Sequence, residues 1–101
     1  MLIEERCYVL HATSSPADFM AAYRRSGGME LQTRILGGLV GYYATEVGEL
    51  NAIVSIWRYE SFEERMKRRA ELAAESGWQS YLAEVRPMIK SMSNRLMNQL
   101  L

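Results

Sequence analysis

Between Asn51 and Tyr59 the chain reads Asn-Ala-Ile-Val-Ser-Ile-Trp-Arg-Tyr, and this segment constrains the fold more than any other. Its β-branched and aromatic residues suit a pleated strand, whose successive side chains point to opposite faces. One parity gives Ile53, Ser55, Trp57 and Tyr59; the other gives Ala52, Val54, Ile56 and Arg58. Both are largely apolar. An antiparallel strand with one wet face alternates cleanly between apolar and polar, so this strand predicts a sheet covered on both faces.

The surrounding segments say what covers it. Ile3–His11 reads as a first strand, too short and too β-branched and aromatic for a helix. Ser15-Pro16-Ala17-Asp18 opens a helix, with Ser15 as cap, Pro16 at the first helical position and Asp18 at the third. Its inward stripe is Phe19, Met20 and Tyr23; Gly27-Gly28 ends it, and a weak helical stretch resumes over Met29–Arg34. Leu36–Glu46 and Asn51–Tyr59 form a hairpin around Gly48-Glu49-Leu50, with glycines 37, 38 and 41 weakening the start of its first strand. Ser61-Phe62-Glu63-Glu64 is a capping box, followed by an expected apolar stripe of Phe62, Met66, Ala70 and Ala73. Ser76-Gly77-Trp78-Gln79 reads as a second box, and Pro87 closes the helical region. A last strand covers Met88–Met97.

This order is β-α-β-β-α-β, the ferredoxin-like split βαβ arrangement: an α+β fold with a four-stranded antiparallel sheet and its helices on one face. Residues 1–101 make a single domain, since a chain this short holds one core. The helices cover one sheet face, and a second copy of the chain is expected to cover the other. Burying each exposed Val or Ile contributes about 1.5–3 kcal/mol, and a two-fold pair presents the same patch from both sides.

Composition narrows the partners. Twelve Lys and Arg balance twelve Asp and Glu, so no net field draws the chain to nucleic acid. Its apolar runs are far short of the ~20 residues that span a bilayer, and Glu4, Glu5 and Arg6 stand where a signal peptide places its apolar stretch. A cytoplasmic location is expected. With Cys7 the single cysteine and His11 the single histidine, no disulfide and no His/Cys metal cluster can form within one chain. Neither a metal nor a cofactor is expected.

Trp57, Tyr59, Trp78 and Tyr81 are candidates for a pocket between sheet and helices, although aromatics at such spacing more often pack a core. Cys7 reads as an inert buried thiol and His11 as a solvated loop-edge residue. The run Glu63–Arg69 is mainly an ion-paired surface, from which Arg65 or Arg69 can lean over the apolar edge to meet an anionic group. No Gly-rich phosphate loop and no Ser/His/Asp constellation is present, and no catalytic residue is assigned.

Three stretches, Gly38-Leu-Val-Gly-Tyr-Tyr43, Asn51–Tyr59 with Ser61-Phe-Glu-Glu-Arg65, and Trp78-Gln-Ser-Tyr-Leu82 with Arg86-Pro87, closely resemble the NIPSNAP family over nearly the whole chain. The resemblance implies a dimeric α+β barrel, in which two ferredoxin-like subunits join their sheets. It implies a small-molecule site between sheet and helices, with cofactor-free monooxygenases and isomerases among the relatives. Asn51, Trp57, Tyr59, Arg65, Trp78, Tyr81 and Asn94 match the family pattern, whereas Ser55 stands where many members carry a histidine, which removes the natural acid-base group. The expected ligand-binding set is Ser55, Trp57, Tyr59, Arg65, Trp78, Tyr81 and Asn94, for a hydrophobic or aromatic molecule. The alternative expectation is a non-catalytic interaction or adaptor module, suggested by the family's eukaryotic association with vesicles and mitochondria.

Overall fold

A computed structural model describes residues 1–101. The elements run β1 (Leu2–Leu10), α1 (Pro16–Arg25), α2 (Gly28–Leu36), β2 (Leu39–Ala44), β3 (Ala52–Tyr59), α3 (Phe62–Ala73), α4 (Ser76–Val85), a 3₁₀ turn (Arg86–Met88) and β4 (Ile89–Asn98). The strands form one antiparallel sheet in the order β2-β3-β1-β4, the ferredoxin-like order.

Local chemistry sets the helix starts. Ser15 Oγ accepts from the Asp18 backbone N–H at 3.1 Å, and Asp18 accepts from the Ser15 N–H at 2.9 Å, which completes the expected capping box. Only half of the box forms at α3. Ser61 Oγ accepts from the Glu64 N–H, but the Glu64 carboxylate turns to Arg68 Nε at 2.6 Å. At α4 the expected box is absent: Glu75 is the capping residue without a side-chain bond, and Gln79 donates to the Ala73 carbonyl.

The weak stretch after Gly27 is a full helix. Gly27 adopts φ +84°, the left-handed turn that separates α1 from α2. Gly28 then lets α2 lie against Tyr81, whose ring would be 2.7 Å from a Cβ at that position. Gln32, Ile35 and Leu36 become buried as a result, and Arg68 donates to the Ile35 carbonyl at the end of α2.

On β3, Ile53, Ser55, Trp57 and Tyr59 are buried beneath the helices, while on the outer face Ala52 is buried, Val54 and Ile56 are half-buried and Arg58 is exposed. Register places Ile3, Glu5, Cys7 and Val9 beside them on that outer face, with Arg95 and Met97 from β4. The face carries Ile3, Val9, Val54, Ile56 and Met97, with Ser91, Ser93, Arg58 and a Glu5–Arg95 ion pair among them. Cys7 sits there half-buried rather than in the core.

The stripe expected on α3 is reversed. Phe62 and Met66 are half exposed, and the inward residues are Arg65, Arg68, Arg69 and the fully buried Leu72. The acid Glu4 lies beneath this helix and pairs with Arg65.

Candidate functional site

β1 supplies charge to the helix-covered face. Register sets Glu4 opposite Trp57 and Arg6 opposite Ser55, so both point inward with Tyr8 and Leu10. Glu4 is completely buried. Its carboxylate accepts from Arg65 Nε at 3.1 Å and Nη2 at 2.8 Å, from Arg6 Nη1 at 2.9 Å and from Asn94 Nδ2 at 2.9 Å, with the Tyr59 hydroxyl 3.5 Å away. Burial alone would push the Glu4 carboxyl up, but the Arg65, Asn94 and Arg6 contacts override it and hold the group at about 2. A carboxylate so satisfied stays charged and serves as a brace.

Beside this brace lies a cleft of about 170 Å³ between the sheet and the helices. Tyr8, Phe19, Trp78 and Tyr81 supply its rings, Leu82, Val85 and Ile89 its aliphatic walls, and Gln32, Tyr42 and three arginines its polar groups. The rings brace one another: Trp78 and Tyr81 have centroids 4.9 Å apart, and Phe19 meets Tyr81 edge-on at 6.5 Å. Gln32 Oε1 accepts from both the Tyr23 and Tyr42 hydroxyls at 2.6 Å. Burial pushes the Tyr81 and Tyr42 hydroxyls well above the usual phenol range and Tyr23 up to about 12, so all three stay protonated. The cleft is lined by no His, Cys, Lys, Asp or Glu, and therefore holds no side chain suited to proton abstraction near neutrality.

The expected site residues fall into three places. Trp78 and Tyr81 line the cleft. Tyr59, Arg65 and Asn94 converge on Glu4. Ser55 and Trp57 form a buried pair, the indole Nε1 donating to Ser55 Oγ at 3.0 Å, and neither lines the cleft. Asn51 has a structural role: at φ +59° its amide donates to the carbonyls of Leu10, His11 and Ser14, tying the hairpin to the end of β1.

Glu4, Arg6, Tyr8, Gln32 and Tyr42 escaped sequence reasoning. The available signal was Glu4 and Arg6 at the parity of Tyr8 and Leu10, a charged pair on a strand's core-facing side.

The NIPSNAP family model matches residues 3–100. The chain belongs to the NIPSNAP family. A protein of Agrobacterium tumefaciens of known structure is 35% identical, with a TM-score of 0.92 over 99% of this chain and 94% of that one. A NipSnap protein of Caenorhabditis elegans is 28% identical over 92 residues, which are 91% of this chain and 17% of that protein. The NIPSNAP chain thus spans about a sixth of the curated relative it matches. The fold extends further, to an antibiotic biosynthesis monooxygenase of Nitrosomonas europaea, at 13% identity and a TM-score of 0.70 over the full length of both chains. No helix of this NIPSNAP chain is long and apolar enough to cross a membrane.

Proposed function

We propose that this NIPSNAP protein is a homodimeric small-molecule binder that takes a one-ring or short apolar ligand into the cleft between sheet and helices. The observation that carries this reading is the cleft itself, walled by Tyr8, Phe19, Trp78 and Tyr81 with Gln32 and Tyr42 as polar groups. An apolar cavity of about 150 Å³ takes benzene, whereas drug-sized ligands occupy about 300 Å³ or more. At about 170 Å³ the cleft suits a single ring.

The second copy belongs on the outer sheet face, where Ile3, Val9, Val54, Ile56 and Met97 have no covering element. Pairing there leaves the helix-covered cleft open in each subunit.

The protonated tyrosines and the guanidinium groups donate hydrogen bonds and stabilise charge; they do not remove protons. Cofactor-free oxygenation or isomerisation, which the family resemblance implies, therefore requires a substrate that ionises readily by itself.

The test is thermal unfolding with a panel of benzene, phenol and indole derivatives, for the native protein and for Leu82→Trp, which fills the cleft. Stabilisation of the native protein that Leu82→Trp abolishes supports binding. No stabilisation by any compound overturns it and favours an interaction module.

A further inference from the structure

The cleft concentrates positive charge in a chain whose charges otherwise balance. Arg6, Arg69 and Arg86 line it, and no acidic residue does. Arg6 is committed, with Nη1 on Glu4 and Nε donating to the Tyr8 hydroxyl at 3.1 Å. Glu4 is shared with Arg65, so one carboxylate serves two guanidinium groups and neutralises one charge. Arg69 and Arg86 take part in none of the ion pairs of the molecule.

The Arg69 guanidinium lies beside the Tyr59 hydroxyl, which burial and then Glu4 push up while the charge of Arg69 and a hydrogen bond with it oppose them. Its Nη1 is buried and has no hydrogen-bond partner, the one side-chain nitrogen or oxygen in the structure of which this is true. Buried polar groups are nearly always paired, and leaving a charged donor unpaired is costly. A guanidinium matches a carboxylate better than any neutral acceptor, because its planar N–H groups meet both oxygens at once.

We propose that the ligand of the cleft is a small organic acid, its ring or short apolar body against Trp78 and Tyr81 and its carboxylate on Arg69, with Arg86 adding a longer-range attraction. The assignment rests on the binding role above and names the ligand class it serves.

Calorimetric titration at low salt with four probes tests it: benzoate and phenylacetate as acids, benzamide and phenylacetamide as neutral matches. In the native protein the acids bind roughly tenfold or more tightly than the amides, the scale of one charge-assisted hydrogen bond. Arg69→Gln brings the acids down to the level of the amides, while Arg69→Lys keeps part of the preference. Equal affinity for acids and amides in the native protein overturns the acid assignment and leaves the binding role standing. Failure of all four probes at millimolar concentration overturns both. The acid-to-amide comparison in the native protein needs no variant, so it decides the matter even where Arg69→Gln does not fold.

Discussion

Arg65 on α3 grips both carboxylate oxygens of Glu4 on β1, with Nη2 2.8 Å from Oε2 and Nε 3.1 Å from Oε1. This pair joins residues 61 positions apart and sets the rotation of α3 over the sheet. Removing Arg65 strips two charge-assisted hydrogen bonds from the buried carboxylate, which keeps Arg6 and Asn94; hydrogen bonds to charged groups contribute about 1.5–3 kcal/mol. Arg65→Met is therefore expected to lose stability on that scale in urea unfolding. A loss below about 1 kcal/mol, the range of an exposed ion pair, would show that the contact does not brace the fold.

The same carboxylate makes stability depend on acid. Its folded value of about 2 lies below the ordinary 4.5. The stabilisation is fully present above about pH 4.5 and is lost as pH falls from there toward 2. A shift of this size corresponds to about 3 kcal/mol. Urea midpoints measured between about pH 6 and pH 3 should fall in the native protein and fall less in Glu4→Gln. Parallel curves for the two proteins would place the acid sensitivity elsewhere.

Ser55 supports the Trp57 indole rather than the cleft. Ser55→Ala leaves a buried N–H unpaired and should destabilise by about 1–3 kcal/mol, with ligand affinity unchanged. Trp57→Ala empties a fully buried site and should lose about 3–5 kcal/mol. Calorimetry on Ser55→Ala that shows affinity falling while the melting temperature holds would assign Ser55 to the ligand instead.

The outer sheet face should hold the second copy. Sedimentation at micromolar concentration is expected to give about twice 11.6 kDa, and Ile56→Glu, on that face beside Glu5, should give a folded monomer. Phe62→Ala, on the half-exposed side of α3, should leave the mass unchanged. A native monomer would remove the dimer from the proposed function.

Much of the fold was legible because its signals are local. The cap at Ser15, the break at Gly27 and the two parities of Asn51–Tyr59 each act within a few residues, and periodicity converts them into elements and faces. The weak helix after Gly27 was underestimated because its stability comes from contact: Gly28 against Tyr81, and Gln32 between two tyrosines, are relations that no short window contains. The stripe on α3 departs from its hydropathy pattern for a related reason. Phe62 and Met66 look like core residues by hydropathy, but Glu4 lies beneath the helix and Arg65 is the α3 residue that reaches it.

The candidate site divides in the same way. The aromatic character of Trp78 and Tyr81 was evident from the sequence, as was the capacity of Arg65 or Arg69 to lean over the apolar edge toward an anionic group. Only the tertiary structure decided that Arg65 meets Glu4, that Ser55 and Trp57 satisfy each other, and that Arg69 is left with a buried, unpaired donor in a cleft without acids. The physical reason is that secondary structure follows from backbone and hydropathy preferences along the chain. The pairing of buried charges depends on which side chains, distant in sequence, the sheet and helices bring within hydrogen-bond reach.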